Sequence, residues 1–328
     1  MGRQVKYNIA IIGCGLIGCK RFKNLSSHFK LIACSDINLK NAYKLSKDKK
    51  VKKFQNWKKI FEIKKLDAVI ISTYHASLSK ILDYAVKKKI NSFVEKPVAT
   101  NPKSIDKIIK LNKKNKVKIR VGFNHRFHPA IIKAKAIIKK GNLGEIMYIR
   151  SNYGHGGRID YNKEWRFNRK LSGGGELIDK GSHLIDLCRY FIGELKLVAS
   201  DLNTFYWNTK LEDNCFLILK NHKSSRAFLH SSCTEWKNKF IFEIFCKYGK
   251  IEINGLGRSY GIEKLTLYKM KKNLGKPSMK TWIFKKDESW KIEMNEFYKD
   301  IKLNRDPKPG LKDAIKNLYL IQKIYKLN

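Results

Sequence analysis

The feature that most constrains the fold is a glycine pattern directly after the first apolar segment of the chain. Residues 7–12 read Tyr-Asn-Ile-Ala-Ile-Ile, and Gly13-Cys-Gly15-Leu-Ile-Gly18 follows before an amphipathic stretch. Glycines at this spacing let the backbone turn sharply and approach a pyrophosphate group, whose charge is stabilised by the N-terminus of the next helix. The sequence therefore predicts a strand, a phosphate-binding turn and a helix in succession.

An acidic residue strengthens this prediction. Asp36 follows the second apolar segment, residues 31–35, where its carboxylate can accept hydrogen bonds from the hydroxyls of an adenine ribose. The same carboxylate would repel a 2′-phosphate, so NAD is favoured over NADP. Lys40 is nearby in the sequence and leaves NADP open as an alternative. The cofactor contacts predicted for this region are Gly13, Gly15, Leu16, Ile17, Gly18 and Asp36.

Apolar segments and amphipathic stretches alternate as far as Gly122. The apolar segments at 68–72, 92–94 and 119–121 are each preceded by a stretch with helical spacing. Strand and helix in turn predict a doubly wound parallel sheet. We therefore expect an α/β fold with a dinucleotide-binding Rossmann domain over residues 1–122.

The pattern changes after Gly122. A long loop rich in Gly, Tyr, Trp and Arg precedes a helix at about 175–191, and short strands with tight turns follow between about 198 and 253. Consecutive strands of this kind predict an open, mainly antiparallel sheet. We expect an α+β substrate-binding and oligomerisation domain over residues 123–328. Its last helix, 311–325, has one apolar face that can pack back on the N-terminal domain.

Composition argues against a dedicated nucleic-acid-binding protein. The 328-residue chain has a formal net charge of +42, but its lysines are scattered through nearly every segment. A general bias toward lysine on solvated helix faces accounts for such a spread, and we expect no specific nucleic-acid partner. The alternative is a loose, salt-sensitive association with polyanions.

The seven cysteines indicate a reducing compartment. They are odd in number and none forms a Cys-x-x-Cys pair, so we expect neither a disulfide framework nor a metal site. Residues 16–19 resemble a bacterial lipoprotein cleavage box, but cleavage there would remove the first strand, and a secreted form is the alternative. No other segment has the roughly 20 uninterrupted apolar residues of a membrane span. We expect a cytoplasmic protein without membrane contact.

Two segments carry groups suited to hydride transfer at a carbinol carbon, which needs a group that removes the hydroxyl proton. Lys96 follows a predicted strand, at the edge of the sheet where ligands bind in open α/β folds. Asp179 and His183 lie in a glycine-rich stretch, one helical turn apart, and would share one helix face. A charged lysine would stabilise a developing alkoxide, and an imidazole, whose unperturbed pKa is about 6.5, is suited to exchanging the proton.

Together these pieces resemble the glucose-fructose oxidoreductase, inositol dehydrogenase and rhizopine-catabolism family, known as Gfo/Idh/MocA. The resemblance spans nearly the whole chain and is carried by the glycine turn, Asp36, Glu95-Lys96-Pro97, the segment 121–129 and the glycine-rich helix. It implies a two-domain, NAD(P)-dependent oxidoreductase acting on sugars, cyclitols and related alcohols, with oligomer contacts on its second sheet. The segment 73–78 departs from the family pattern Thr-Pro-x-x-x-His, because it lacks the proline and the later histidine.

The resemblance also implies roles for individual residues. Lys96 would contact the reacting hydroxyl, His183 would accept or donate its proton, and Asp179 would position substrate or the imidazole. The predicted cofactor contacts extend to Ser72, Thr73, His75, Glu95 and Lys96. The predicted substrate contacts are Lys96, Arg126, His155, Arg158, Trp165, Arg166, Asp179 and His183.

The loop that begins at Tyr153 indicates the substrate class. Its aromatic rings can stack on a pyranose, and Arg158, Arg166 and Arg169 can bind a carboxylate or phosphate. A solvated basic loop is the alternative. We therefore predict hydride transfer between a nicotinamide cofactor and a hydroxyl or keto carbon of a sugar, a sugar derivative such as a uronate or nucleotide sugar, or a cyclitol, in a homodimer or homotetramer. The alternative function is a non-catalytic NAD-binding regulatory module.

Overall fold

The computed structural model describes residues 6–271 and 273–328. Residues 1–5, at the start of the predicted first domain, lie outside the described residues. The chain forms two compact units, of which the first runs to Phe123 and also includes Trp290–Leu318, and the second comprises Asn124–Ser289 and Tyr319–Asn328. Among the described residues, no helix is both long and apolar enough to cross a bilayer.

The first unit contains a six-stranded sheet in the order β3-β2-β1-β4-β5-β6, with every neighbouring pair parallel. Its strands are β1 (Tyr7–Ile12), β2 (Phe29–Ser35), β3 (Lys52–Phe54), β4 (Ala68–Ile71), β5 (Asn91–Glu95) and β6 (Ile119–Gly122). All four residues of β4 are buried, as expected for a parallel strand that is covered on both faces. The predicted doubly wound sheet is confirmed, and only the short strand β3 was not predicted.

Helices connect these strands close to the predicted positions. They are α1 (Leu16–Lys23), α2 (Leu39–Leu45), α3 (His75–Lys87) and α4 (Pro102–Asn115), and a 3₁₀ helix spans Trp57–Glu62. The start of α4 shows why sequence marks such boundaries well. The side-chain oxygen of Asn101 accepts a hydrogen bond from the backbone N–H of Lys103 at 2.9 Å, and Pro102 occupies the first helical turn, where no N–H is needed.

The second unit contains an eight-stranded sheet in the order β14-β13-β12-β11-β7-β10-β9-β8. Its strands are β7 (Ile146–Gly154), β8 (Lys196–Asn203), β9 (Asn214–Lys220), β10 (Arg226–Ser232), β11 (Lys239–Cys246), β12 (Gly249–Asn254), β13 (Glu263–Lys269) and β14 (Ser278–Phe284). The pair β7 and β10 is parallel and the other pairs are antiparallel, so the prediction of a mainly antiparallel sheet is confirmed.

Helices cover one face of this second sheet. They are α5 (Pro129–Lys139) and α7 (Ser182–Ile192), and the short helix α6 (Arg169–Ser172) lies in the loop before α7. Residues alternate along the strands, so that Cys215, Leu217 and Leu219 of β9 are buried. The opposite face of the sheet carries exposed apolar side chains, among them Phe228, which is 47% exposed.

The C-terminal part of the chain returns to the first unit. It forms α8 (Ser289–Lys302) and α9 (Leu311–Tyr325), and Trp290–Leu318 belongs to the first unit. The sequence predicts that residues 123–328 form the second domain and that only the last helix packs back on the first, whereas α8 also belongs to the first unit. The physical reason for the difference is apolar packing, because Phe297 of α8 lies 5.7 Å from Phe29 and 5.8 Å from Phe93 between ring centroids.

Candidate active site

The glycine turn after β1 has the backbone geometry that the sequence predicts. Gly13 has a φ of +92°, and a Cβ atom there would lie 2.5 Å from the carbonyl oxygen of Ser72. At Gly18 a Cβ atom would lie 2.0 Å from the carbonyl oxygen of Gly13. No side chain fits at either position, so these glycines allow the turn to close against the first residue after β4.

Asp36 is hydrogen-bonded to this turn. One carboxylate oxygen, Oδ2, accepts the backbone N–H of Cys14 at 2.7 Å. The other, Oδ1, accepts the backbone N–H of Asn38 at 2.9 Å and the side-chain amide of Asn41 at 3.2 Å. A carboxylate has about four acceptor positions, so these three bonds fix its orientation and leave capacity for a further donor.

The outer side of the turn is open. Among the described residues, no heavy atom outside the immediate chain neighbours lies within 4 Å of the place where a Cβ of Gly15 would be, and Leu16, the first residue of α1, is 69% exposed. Backbone amides at a helix N-terminus favour an anionic group, and glycine lets that group approach closely. The turn, the helix end and Asp36 therefore fit a dinucleotide with its pyrophosphate beside Gly15.

The three predicted cofactor contacts after β4 have different surroundings. The hydroxyl of Ser72 donates to the carbonyl oxygen of Gly13 at 2.8 Å, so it holds the turn together. The hydroxyl of Thr73 accepts from that of Ser77 at 2.9 Å. His75 is the first residue of α3 and is buried. Ser72 thus stabilises the glycine turn through this hydrogen bond.

Glu95 was predicted to contact the cofactor, but its carboxylate is engaged inside the first unit. Oε1 accepts Nε of Arg21 at 2.6 Å, and Nη1 of Arg21 lies 2.5 Å from Oε2 of Glu293. The guanidinium is fully buried between the rings of Phe93 and Trp290, at 4.2 and 4.3 Å from their centroids. We assign Glu95 a structural role, because this buried cation needs its carboxylate partners.

Lys96 directly follows β5, at the carboxyl edge of the parallel sheet. Two residues later, Val98 is fully buried with a φ of +75°. A β-branched residue in that region is strained, and such strain concentrates at functional sites. The backbone at Val98, two residues after Lys96, therefore has a conformation that valine does not favour, and the surrounding structure imposes it.

In the second unit, Asp179 and His183 do not lie on one continuous α-helix. Leu177–Gly181 forms a π-helical turn, and α7 begins only at Ser182. The extra residue in a π turn shifts the side chains that follow it, and π turns are frequent at functional sites. The prediction that a regular helix places both side chains on one face was therefore wrong in its local geometry.

His183 lies against a second imidazole. Its ring stacks on that of His125, with centroids 3.9 Å apart and planes within 16°. The ring of Tyr153 approaches His125 edge-on at 5.1 Å, and both histidines are buried. Aromatic faces thus fix the orientation of the His183 imidazole.

Asp179 is bound by a loop arginine. Nε of Arg166 lies 3.3 Å from Oδ2 of Asp179, and Nη1 of Arg166 lies 3.0 Å from Glu164. Glu164 also binds Nη2 of Arg158 at 2.5 Å. Two arginines that were predicted to bind an anionic substrate group therefore already have carboxylate partners from the protein.

Two other predicted substrate contacts are engaged within the protein. Arg126 forms a two-pronged ion pair with Asp186, with N–O distances of 2.7 and 2.6 Å, and both side chains are buried. His155 uses both ring nitrogens, since Nδ1 accepts the N–H of Gly157 at 2.8 Å and Nε2 lies 3.3 Å from the hydroxyl of Tyr161. Arg126 therefore stabilises the unit, and His155 shapes the loop.

The loop also borders a cavity. The guanidinium of Arg166 lies over the ring of Trp165 at 4.8 Å, which keeps that aromatic face from being a free stacking platform. A cavity of about 520 Å³ opens next to this segment and the loop after β8. Its lining includes Asn162, Asn168, Arg169, Asn208, Thr209 and Lys210. Arg169, the third predicted anion contact, thus faces this cavity.

Comparison with known protein families identifies both parts of the chain. Residues 7–123 match an oxidoreductase family described by its NAD-binding Rossmann fold, and residues 131–252 match the GFO/IDH/MocA C-terminal domain. The chain belongs to the GFO/IDH/MocA oxidoreductase family. Its first unit therefore has the NAD-binding Rossmann fold of that family.

Curated relatives support the family assignment over part of their length. The chain is 30% identical to levoglucosan dehydrogenase of Pseudarthrobacter phenanthrenivorans over 152 residues, which is 46% of this chain and 39% of that protein. It is 28% identical to myo-inositol 2-dehydrogenase of Thermotoga maritima over 191 residues, which is 57% of this chain and 55% of that protein. The chain thus spans about half the length, or less, of the curated relatives it matches.

Solved structures of GFO/IDH/MocA fold closely resemble this one. Levoglucosan dehydrogenase in complex with NADH superposes with a TM-score of 0.89 at 20% identity, covering 98% of this chain and 96% of that chain. The 3-ketoreductase KijD10 from Actinomadura kijaniata, in complex with NADP and TDP-benzene, gives a TM-score of 0.85 at 14% identity, covering 98% and 97%. At these identities the likeness shows the fold alone.

Several residues near the predicted site were not singled out from the sequence. His125 lies in the segment 121–129 that carries the GFO/IDH/MocA resemblance, so its position next to Arg126 was a usable signal. Tyr161, Glu176 and Lys180 carried no signal of that kind. Their importance depends on burial and on contacts with one another.

Proposed function

We propose that the protein is a nicotinamide-dependent dehydrogenase that transfers a hydride between NAD and a hydroxyl-bearing carbon of a sugar or cyclitol. Two observations carry this proposal: the imidazole of His183, at the start of α7, is oriented by His125, and the carboxylate of Asp179, on the preceding π turn, is held by Arg166. The glycine turn with Asp36 supports the cofactor half. In the oxidising direction, alcohol and NAD⁺ give ketone, NADH and a proton.

Each residue has a distinct part in this proposal. The nicotinamide supplies the hydride acceptor when it is bound. His183 takes the proton of the reacting hydroxyl, and Lys96 stabilises the negative charge that develops on the oxygen. Asp179, oriented by Arg166, accepts a hydrogen bond from a neighbouring hydroxyl and so aligns the sugar ring. Proton transfer and charge stabilisation are thereby divided between two side chains.

We favour NAD over NADP because of the charge at Asp36. Its carboxylate accepts hydrogen bonds from three uncharged groups and lies where an adenine ribose would bind. A 2′-phosphate there would face a carboxylate, whereas two ribose hydroxyls can donate to it.

We further propose that the reacting ring is uncharged. Arg158 and Arg166 are bound by Glu164 and Asp179, so an anionic substituent next to Asp179 would have to compete with carboxylates for the same donors. A polyol needs only hydrogen-bond donors and acceptors, and these side chains can provide them while their ion pairs stay intact. Neutral sugars and cyclitols are therefore preferred to uronates at this position.

The test is a spectrophotometric assay of nicotinamide reduction over a panel of neutral sugars, cyclitols, uronic acids and nucleotide sugars, with NAD and with NADP. We expect turnover of a neutral polyol with NAD. His183→Ala and Lys96→Ala should each lower kcat at least about a hundredfold while NADH affinity, measured by fluorescence, stays near wild type.

Matched controls are His222→Ala and Lys103→Ala, which change exposed residues of the same types. Both should keep wild-type kcat. Wild-type turnover in either site variant, or no binding of NAD to the unmodified protein, would refute the dehydrogenase proposal.

A further inference from the structure

A chain of polar side chains runs through the second unit, and the proposed mechanism does not use it. It begins at the N–H of Gly157, which donates to Nδ1 of His155 at 2.8 Å. Nε2 of His155 lies 3.3 Å from the hydroxyl of Tyr161, and that hydroxyl lies 3.5 Å from Oε1 of Glu176. Oε2 of Glu176 ends the chain by binding Nζ of Lys180 at 2.6 Å.

Only one arrangement of protons satisfies this chain. Because the N–H of Gly157 donates to Nδ1, that nitrogen carries a lone pair, and a neutral ring must carry its proton on Nε2. The proton on Nε2 then points at the hydroxyl oxygen of Tyr161. The hydroxyl hydrogen of Tyr161 is directed to Glu176, whose carboxylate accepts from both sides.

The end of this hydrogen-bonded series at Glu176 and Lys180 is deeply buried, and the two opposite charges there sum to zero. Tyr161 is 1% exposed, Glu176 2% and Lys180 5%. Burial raises the pKa of Glu176, and Lys180 opposes that rise. Burial alone would lower the pKa of Lys180, but Glu176 raises it well above its usual range. Removing one partner would leave an uncompensated buried charge, which is strongly unfavourable.

The near end of the chain holds the backbone of the loop after β7. Gly157 has a φ of +73°, and a Cβ atom there would lie 2.2 Å from Cζ2 of Trp207. This closely packed turn leads directly into the segment that carries Arg158 and Arg166. The position of Arg166 on Asp179 therefore depends on where the turn at Gly157 is held.

We propose that Tyr161, Glu176 and Lys180 are positioning residues, which hold His155 as a neutral imidazole protonated on Nε2 and thereby fix the loop that presents Arg166 to Asp179. The kinetic part of this inference rests on the proposed dehydrogenase function. The tautomer of His155 and its response to pH do not depend on that function.

The charges that face His155 come from two elements. Lys180 and Asp179 lie on the π turn, and Arg158 and Arg166 lie on the loop itself. Burial first, and then Lys180, Arg158 and Arg166, lower the pKa of His155 to about 3, while Asp179 opposes them. His155 therefore stays neutral across the pH range in which enzymes of this kind are assayed, and its Nε2 proton stays in place.

The test combines nitrogen NMR with kinetics on the full chain. The protein is labelled with ¹⁵N-histidine, and a His155→Gln variant assigns the His155 signals. From pH 5 to pH 8 these signals should keep the pattern of a neutral imidazole protonated on Nε2. The double variant Glu176→Gln/Lys180→Met removes both buried charges together, so it avoids a lone buried ion. It should shift the His155 titration to higher pH, whereas Lys180→Arg should leave it near wild type.

Kinetics provides the second measurement. Tyr161→Phe removes the hydroxyl that accepts from His155 and donates to Glu176, and it should raise KM for the sugar about three- to tenfold, with a smaller change in kcat and an unchanged KM for NAD. The control is Tyr298→Phe, which changes a buried tyrosine of the first unit and should leave kcat and both KM values unchanged.

The outcomes separate this inference from the proposed function. A wild-type His155 that titrates near pH 6.5, or carries its proton on Nδ1, overturns the inference whether or not the enzyme is active. An unchanged sugar KM in Tyr161→Phe overturns the positioning role. Absence of turnover in the wild type overturns the proposed function, and the NMR result then decides the inference alone. If the double variant does not fold, Tyr161→Phe and Lys180→Arg decide it.

Discussion

Two aspartates of the first unit make the same kind of backbone hydrogen bond in different surroundings. Asp36 and Asp67 each accept a backbone N–H, from Cys14 at 2.7 Å and from Asn8 at 2.6 Å. Only Asp36 lies beside the open glycine turn. This pair allows the charge of Asp36 to be tested separately from its hydrogen bond.

Asp36→Asn keeps an acceptor for the N–H of Cys14 and removes the negative charge. We expect NADH affinity to fall about tenfold and the ratio of NADPH to NADH affinity to rise, because the repulsion of a 2′-phosphate disappears. Fluorescence titration with both reduced cofactors measures this. Asp67→Asn is the control, and an equal effect there would show that the charge of Asp36 is not what selects the cofactor.

The buried group around Arg21 gives a pH-dependent prediction. Burial raises the pKa of Glu293 to about 7, and the nearby Glu95 adds to the rise while Arg21 opposes it. The folded state thus holds this proton more tightly than the unfolded state, so the contribution of Glu293 to stability is present at low pH and is lost as pH rises toward 7 and above.

Glu293→Gln cannot lose a proton. Relative to wild type, its free energy of unfolding should rise between pH 5 and pH 8, by on the order of 2 kcal/mol, in urea denaturation. Glu296→Gln on the same helix should show no such rise between pH 5 and pH 8. Burial alone would raise the pKa of Glu296, but its bonds to Lys299 and Arg305 lower it, so its contribution is already present across this range and is lost only at lower pH. Parallel curves for the two variants would contradict this account.

At the scale of elements, α8 completes the core of the first unit although it lies far along the chain. Met294, Phe297 and Tyr298 of this helix share one apolar cluster with Phe29 and Phe93. A fragment that ended after the sixth parallel strand would expose that apolar surface. The first unit is therefore built from two separate stretches of sequence.

Phe297→Ala should destabilise the protein by about 3–5 kcal/mol, because it removes a fully buried ring and leaves a cavity. Chemical denaturation measures the loss. Phe205, which is 65% exposed, supplies the control, and Phe205→Ala should change stability by less than about 0.5 kcal/mol. A similar loss in both variants would mean that α8 does not belong to the core.

The face of the second sheet opposite α5 and α7 carries exposed apolar side chains. Its exposed apolar residues, Tyr148, Ile218 and Phe228, alternate with an ion-pair group in which Glu243 binds Arg150 at 2.6 Å and Lys250 at 2.7 Å. An apolar patch bordered by paired charges is typical of protein interfaces. We propose that a homodimer or homotetramer forms through this face.

Light scattering coupled to size exclusion should show a dimer or tetramer for the wild type. Phe228→Glu should dissociate it, because a charge would be buried at the centre of the interface without a partner. Leu303→Glu, which alters an exposed apolar residue of the first unit, should leave the assembly intact. A monomeric wild type, or an unaffected Phe228→Glu variant, would rule out this interface.

The amino-acid sequence was enough to predict the first strand, the glycine turn, the alternation of strands and helices up to Gly122, and the change to an antiparallel sheet, whereas β3, β13, β14 and α8 were not predicted. These features depend on local causes, namely the period of apolar residues and the need for glycine where a Cβ would collide. The same local features carry the resemblance to the GFO/IDH/MocA family. Lys96, Asp179 and His183 remain predictions for their chemical roles.

The folded structure, and not the sequence, shows which polar and charged side chains already have partners within the protein. Glu95, Arg126 and His155 were predicted to contact cofactor or substrate, and each is engaged by a partner within its own unit. The physical reason is that a charge is neutralised by whichever group folding brings beside it. With 70 Lys and Arg residues and 28 Asp and Glu residues, spacing along the chain does not indicate which cation each carboxylate will bind.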